Sequence, residues 1–197
     1  MPQRTVALVT GEHYHLYNRG HNHQPIFFDR ENYLFFLRRV RNYLLGDTQT
    51  LEIQVLVVAY CLMPNHYHLL LCPLDNKLSR HMQRLSISYT KAINKRHNHT
   101  GALFQGQFQV AHVDQDEYLL HLSRYIHLNP VTAGLVEYPE DWEFSSYRDY
   151  VGIRQGTLPA PDIVLSQFPS PDAYRDFVEG YRPRDKEFIS HLLLDDA

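Results

Sequence analysis

The tripeptide His66-Tyr67-His68 sets two imidazoles one residue apart inside an apolar run, Met63 to Leu71. Alternate side chains of an extended strand share a face, so His66 and His68 would stand side by side while Tyr67, Leu69 and Leu71 turn the other way. Two neighbouring imidazoles that look into a cleft suit a divalent cation with coordination positions left open. The same spacing also suits two strand histidines that only hydrogen-bond, and with 13 histidines in the chain the pair alone does not separate these readings. A second group lies in Ser123-Arg124-Tyr125-Ile126-His127-Leu128-Asn129-Pro130. On a helix Tyr125 and Asn129, four apart, share a face. A phenol can act as a nucleophile and form an ester with phosphate. Its ordinary pKa of about 10 means that it needs activation, or a phosphate made more electrophilic by a metal. An asparagine carbonyl oxygen could supply a third ligand to the cation. Each residue also has a plainer use, Tyr125 at the edge of an amphipathic helix and Asn129 as a helix stop before Pro130.

The elements that must position these groups follow from periodicity. His13 to Asn18 alternates polar and apolar and reads as a strand, with Arg19-Gly20 opening a loop. Asp29 is placed to cap a helix that runs through Leu45, broken by Gly46-Asp47. Leu51 to Tyr60 is rich in β-formers, Met63-Pro64-Asn65 is turn-like, and His66 to Cys72 is a second strand, so the two form an antiparallel hairpin. Met82, Leu85 and Tyr89 give Leu78 to Arg96 a helical period, and Leu103 to Val113 reads as extended. Asp114-x-x-Glu117 has the form of a capping box for a helix to about Leu128, where Pro130 would stop it. The order strand, helix, strand, strand, helix, strand, helix predicts an α+β fold, an antiparallel sheet with helices packed on it in a ferredoxin-like sandwich. The main domain is expected over residues 1–150, followed by an acidic, proline-rich extension with short helices over 151–197.

Composition is that of a soluble globular protein, with 44% apolar and 21% charged residues. No apolar run reaches the roughly 20 residues of a membrane span, and the first residues lack the apolar core of a signal peptide. Cys61 and Cys72 form neither a CxxC nor a disulfide framework, so a cytoplasmic protein with reduced thiols and no membrane association is expected. The net charge of −3 is unevenly spread. Residues 1–136 hold 13 Lys/Arg against 9 Asp/Glu, a net of +4, and residues 137–197 hold 6 against 13, a net of −7. Asn76 to Val113 carries Lys77, Arg80, Arg84, Lys91, Lys95 and Arg96 and no acidic residue. Such a segment can attract phosphates whatever the total charge, although a solvated helix face would look the same.

The segments HYHLYNRG, PIFFD, MPNHYHLLL, GALFQGQF, YIHLNPVTAGLV and WEFSSYRDY occur in this order between about residues 12 and 150. Together they resemble the REP-associated tyrosine transposases, a branch of the single-tyrosine HUH endonucleases named for a His-hydrophobic-His motif. The resemblance implies that His66 and His68 hold Mg²⁺ or Mn²⁺, that Tyr125 attacks a DNA phosphate, and that a 5′-phosphotyrosine link and a free 3′-hydroxyl result. It implies Asn129 as a polar third ligand, which Pro130 would bias away from helical geometry. Tyr118 and Tyr89 lack the motif. The implied partner is single-stranded DNA folded into hairpins of repetitive extragenic palindromes (REP), bound by a monomer or a homodimer. Phosphate contacts are expected from Arg19, Lys77, Arg80, Arg84, Lys91, Lys95, Arg96 and Arg124. Phe104, Phe108 and Tyr89 are placed either to stack on unpaired bases or to fill the core. One departure stands out, because Gln107 follows Gly106 where a basic residue is expected, and Gln109 is close behind. Fewer phosphate contacts would weaken binding and its salt dependence.

Two other classes remain open at this point. A hairpin-binding protein that does not cut would dispense with Tyr125, and a small metal-dependent hydrolase unrelated to DNA would need a further His or carboxylate ligand. The acidic extension reads as a solvated appendage, or else as a cover for the basic face that competes with DNA. His112, His121 and His127 read as surface or packing histidines.

Overall fold

The computed structural model describes residues 6–46 and 53–193. Four strands, β1 (His13–Arg19), β2 (Val55–Met63), β3 (His66–Pro73) and β4 (Gln109–Val113), form one antiparallel sheet in the order β2-β3-β1-β4. Helix α1 (Arg30–Val40) lies between β1 and β2 in sequence, α2 (Leu78–Arg96) between β3 and β4, and α3 (Asp116–Thr132) follows β4. This is the βαββαβ plan of the ferredoxin-like α+β fold, as the order of periodic segments predicts. None of the described helices is long and apolar enough to cross a membrane.

Register divides the chemistry of the sheet between its faces. Tyr17 lies opposite His68, and Arg19 opposite His66, so the odd positions of β1 share the face of the His-x-His pair. Tyr14, Leu16, Tyr67, Leu69 and Leu71 turn to the other face, where Tyr33, Phe36 and Val40 of α1 and Met82, Leu85 and Tyr89 of α2 bury them. The histidine face is covered by α3 through Leu119, Leu122 and Ile126. Covered on both faces, β3 is an almost unbroken apolar run in which only His66 is less than fully buried.

The helix ends show which local signals act. Asp29 caps α1 by accepting the Asn32 N–H at 2.9 Å, and a wider turn carries the helix on through Leu45 to Gly46 (φ 98°). The expected strand start at Leu51 and the break at Asp47 lie outside the described residues. Helix α3 departs from expectation at both ends. Its N-cap is Gln115 with no side-chain cap bond, so Asp114 and Glu117 form no capping box, and Asp116 and Glu117 act through the helix dipole instead. At the far end α3 runs through the buried Pro130 to Thr132 and stops at Gly134 (φ 68°). Proline removes one helix donor and crowds the turn before it. Here the Asn129 side chain donates to the Tyr125 carbonyl at 3.0 Å, adding a bond to that disturbed turn, while Pro130 packs inward. The extended segment expected from Leu103 narrows to β4, and residues 103–108 are a loop tied to the Gly20 backbone through Phe104.

After α3 the chain crosses the edge strand β2. Trp142 Nε1 donates to the Leu62 carbonyl at 2.9 Å and Phe144 stacks on Tyr33 at 3.9 Å, which shields that edge from further pairing. Short helices follow: α4 (Tyr147–Tyr150), α5 (Asp162–Leu165), α6 (Pro171–Glu179), α7 (Pro183–Phe188) and a 3₁₀ turn at Ser190–Leu192. The extension is not a solvated appendage. Val164, Tyr174, Val178, Ile189 and Leu192 are buried with α3 on the histidine face. Residues 154–159 pass the β2 edge beside α1, where Leu158 joins the other core and Thr157 meets Arg41, and the short helices after them lie across the sheet from α2, away from that helix's basic residues.

Candidate active site

His66 and His68 project from the start of β3 with ring centroids 5.0 Å apart and planes near perpendicular. His66, at the turn, is half-buried; its Nδ1 lies 2.7 Å from Asn65 Oδ1. The Asn65 amide nitrogen donates to the His23 carbonyl at 3.3 Å, which turns Oδ1 to the ring. A carbonyl oxygen can only accept, so His66 carries its proton on Nδ1 and keeps a lone pair on Nε2. The turn is held by the Gly20 N–H, which donates to the Asn65 carbonyl at 2.7 Å. Gly20 itself has no room for a side chain, since a Cβ there would stand 1.9 Å from the Gln24 carbonyl oxygen.

His68 is fully buried, and burial first, then the neighbouring His66 and His15, holds its pKa well below the ordinary histidine value. Its Nδ1 lies 2.9 Å from His15 Nε2, whose own Nδ1 lies 2.5 Å from the Leu192 carbonyl oxygen. Its Nε2 is a buried polar atom with no hydrogen-bond partner by geometry. Asn129 stands near enough to favour the protonated ring, yet no bond of ordinary length and angle forms between them. With the amide nitrogen committed to Tyr125, the oxygen is the end of Asn129 that faces His68.

Tyr125 comes from α3, one turn before Asn129. Its half-buried ring meets His68 edge to face at 5.6 Å. The expected pair and the expected tyrosine, far apart in sequence, thus share one place. The donor set fits a divalent cation: two imidazoles, one with an orphaned buried nitrogen, and an amide oxygen beside them. A buried nitrogen left without a partner is costly unless something else meets it. Among the described residues no three His, Cys, Asp or Glu side chains are grouped to hold an ion.

The other expected contacts sort by position. Lys77, just before α2, and Arg80, Arg84, Lys91, Lys95 and Arg96 on it are all exposed, and Arg96 pairs with Asp29 at 2.8 Å. Arg19 lies beside the site and its Nε donates to Gln105. Arg124 corrects the expectation of a phosphate contact. It is 4% exposed, paired with Asp185 at 2.9 Å, and its guanidinium lies 4.2 Å from the centre of the Phe177 ring, so it ties α3 to the extension. Tyr89, Phe104 and Phe108 are buried in the core below α2, and the Tyr89 hydroxyl donates to the Ile26 carbonyl at 2.7 Å. Tyr118 packs on Phe188 and His191 instead of entering the site. His112 pairs with Glu12 at 3.1 Å, His121 lies 2.9 Å from Arg124, and His127 is buried between Tyr174 and Ser146.

Two hollows meet at Gly106 and Gln107. One, of about 380 Å³, is lined by Tyr17, Arg19 and Gln105 and adjoins the histidines, with the Tyr17 and His68 rings 6.4 Å apart. The other, of about 610 Å³, is lined by Ser79, Arg80 and Gln83 of α2. The loop between them is fixed from below by Asn18, whose side chain donates to the Gly106 carbonyl at 3.1 Å.

The model of the IS200-like transposases matches residues 9–129, a span that holds both histidines and the tyrosine. The chain belongs to the IS200-like transposase family. It is also similar to a Haemophilus influenzae protein named as a REP-associated tyrosine transposase, at 29% identity over 101 residues. That alignment takes in 46% of this chain and 57% of the relative, so the chain spans little more than half the length of the curated relative it matches. A solved REP-associated tyrosine transposase bound to a REP hairpin is similar in fold, with a TM-score of 0.62 over 77% of this chain and 86% of that one, at 17% identity.

His15, Tyr17 and Leu192 had not been singled out from sequence. The signal for the first two was available, because His13 to Arg19 alternates and an odd position of β1 must share a face with one set of its neighbour. The signal for Leu192 was not, since a carbonyl has no side-chain signature.

Proposed function

We propose that this IS200-like transposase is a metal-dependent endonuclease and strand transferase that cuts single-stranded DNA hairpins of the repetitive palindromic type, with Tyr125 as nucleophile. The observation that carries the reading is the meeting of Tyr125 with the His66–His68 pair at 5.6 Å from His68, with the orphaned His68 Nε2 and the Asn129 oxygen beside it. His66, His68 and Asn129 would hold Mg²⁺ or Mn²⁺. When bound, such a cation polarises a phosphate oxygen and makes the phosphorus more electrophilic.

The chain's own residues supply the rest. Helix α3 presents the phenol to the cleft, and the Tyr125 oxygen adds to phosphorus as its proton leaves to solvent. The bond from phosphorus to the 3′ oxygen breaks, and that oxygen takes up a proton as a free hydroxyl. A tyrosine ester of the 5′ phosphate remains, and attack by a 3′-hydroxyl reverses the step with no external energy source. The DNA is proposed to lie across Gly106-Gln107, from the exposed basic side of α2 through the two hollows to Arg19 and Tyr17. Neutral Gln105, Gln107 and Gln109 there can hydrogen-bond to base edges, where a basic residue would hold phosphate.

The similarity to a REP-associated relative and to the fold of a hairpin-bound one supports the choice of DNA. The test is incubation of labelled single-stranded hairpins with Mn²⁺ and the protein, resolved on a denaturing gel beside His66→Ala and Tyr125→Phe. A slow covalent species lost in both variants supports the reading. Hairpin binding with no adduct in any protein would instead make the chain a non-cutting DNA-binding protein.

A further inference from the structure

A second line of contacts enters the site from the far end of the chain. The Leu192 carbonyl, in the 3₁₀ turn that ends the described extension, lies 2.5 Å from His15 Nδ1, and His15 Nε2 lies 2.9 Å from His68 Nδ1. All three groups are buried, and the two rings are stacked with centroids 5.1 Å apart and planes 21° from parallel. Neither contact includes a carboxylate.

The geometry points to His15 as a positioning residue that reads the Leu192 carbonyl and passes its polarity to His68, so that the C-terminal extension sets which nitrogen of His68 is offered to the cation. A carbonyl oxygen only accepts, so the His15 proton stands on Nδ1. A neutral His15 then has a lone pair on Nε2, and the contact at 2.9 Å is a bond only if His68 donates from Nδ1. His68 Nε2 is left as a bare lone pair, and this is the atom that has no hydrogen-bond partner in the structure. The alternative tautomer would turn its Nε2 N–H toward the Asn129 oxygen, but it would set two lone pairs against each other at 2.9 Å between the rings. His66 reaches the same state by a local route, through Asn65. The two imidazoles are thus set alike by unrelated acceptors, one next door and one 177 residues from His15. Outer partners of this kind orient a ligand ring and raise its basicity, and their loss typically weakens metal binding about 10–100-fold.

The inference rests on the proposed reading of His68 as a metal ligand, and its first test needs no metal. Long-range ¹H–¹⁵N correlation spectra of the metal-free protein at neutral pH distinguish the two imidazole tautomers. His15 and His68 should both carry their proton on Nδ1; a His68 proton on Nε2 overturns the inference. The second test is Mn²⁺ affinity by calorimetry. His15→Leu removes the acceptor and should weaken binding about 10-fold or more. His15→Gln, whose side-chain oxygen reaches about as far as the imidazole Nε2, should restore most of that loss. Unchanged affinity in His15→Leu, or no difference between the two variants, would refute the relay. If His15→Leu does not fold, the wild-type tautomers still decide. If the wild-type protein binds no Mn²⁺, the metal reading fails, and the tautomer spectrum separates that failure from this one.

Discussion

The buried histidines make folding stability depend on pH, and His127 gives the cleanest measure of it. Its Nδ1 lies 2.7 Å from the Tyr174 hydroxyl and its Nε2 2.8 Å from Ser146 Oγ, and burial pushes its pKa down to about 3. In the unfolded chain the same ring titrates near 6.5. Below that value the unfolded state binds a proton that the folded state refuses, so stability is full above pH 6.5 and is lost as pH falls toward the folded value. From pH 7.5 to 5.5 the cost for this one ring is about 1 kcal/mol, and over the whole window down to about 3 it approaches about 5 kcal/mol. His15, His68, His13 and His121, also lowered by burial, add costs of the same sign. The wild-type protein should therefore lose stability between pH 7.5 and 5.5, about 1 kcal/mol of it through His127. His127→Phe should remove about 1 kcal/mol of that loss while leaving both partners bonded, Tyr174 to Ser123 at 3.1 Å and Ser146 to the Tyr60 backbone at 2.9 Å. Urea unfolding at pH 7.5, 6.5 and 5.5 in the presence of a chelator measures the slope. Asp75 and Glu143, whose pKa values are lowered, titrate below this range and do not confuse it. An equal pH dependence in wild type and His127→Phe would refute the reasoning.

Arg124→Ala should cost about 2–4 kcal/mol in thermal or urea unfolding, because it removes the ion pair with Asp185 and strips the guanidinium from Phe177. The same variant should leave the salt dependence of hairpin binding unchanged, which a phosphate contact would not. Arg80→Ala, on the exposed face of α2 beside the larger hollow, should weaken hairpin binding at low salt and lower the slope of log Kd against log salt by about 1. Gln107→Arg should do the opposite, tightening binding and steepening that slope, as read by fluorescence anisotropy over a salt series.

How far the sequence reached can be judged residue by residue. The strand alternation around His66 and His68 and the i, i+4 relation of Tyr125 and Asn129 are local periodicities, and the structure keeps both. The α2 face was legible for the same reason, since Met82, Leu85 and Tyr89 fix which side turns inward. Pro130 misled because a local breaking signal was overruled by packing, with the Asn129 side chain adding a bond in the turn that the proline disturbs. Arg124 misled because only tertiary structure brings Asp185 and Phe177 to it. The extension, read as a solvated segment from its charge and prolines, carries Tyr174, Val178 and Leu192 into a core whose other half is α3. His15 needed the register of β1 against β3, and its partner is a backbone carbonyl that sequence cannot mark.

Tyr125 is proposed to become covalently joined to DNA beside a His66–His68 metal site. The most direct measurement is mass spectrometry of the protein after reaction with a single-stranded hairpin and Mn²⁺, followed by nuclease trimming and proteolysis. A nucleotide phosphate is expected on the peptide that contains Tyr125, with fragment ions that place it on the phenol and none formed when Mn²⁺ is withheld. A nucleotide carried on Tyr118 or any other residue, or an adduct that forms equally well in a chelator, would contradict it.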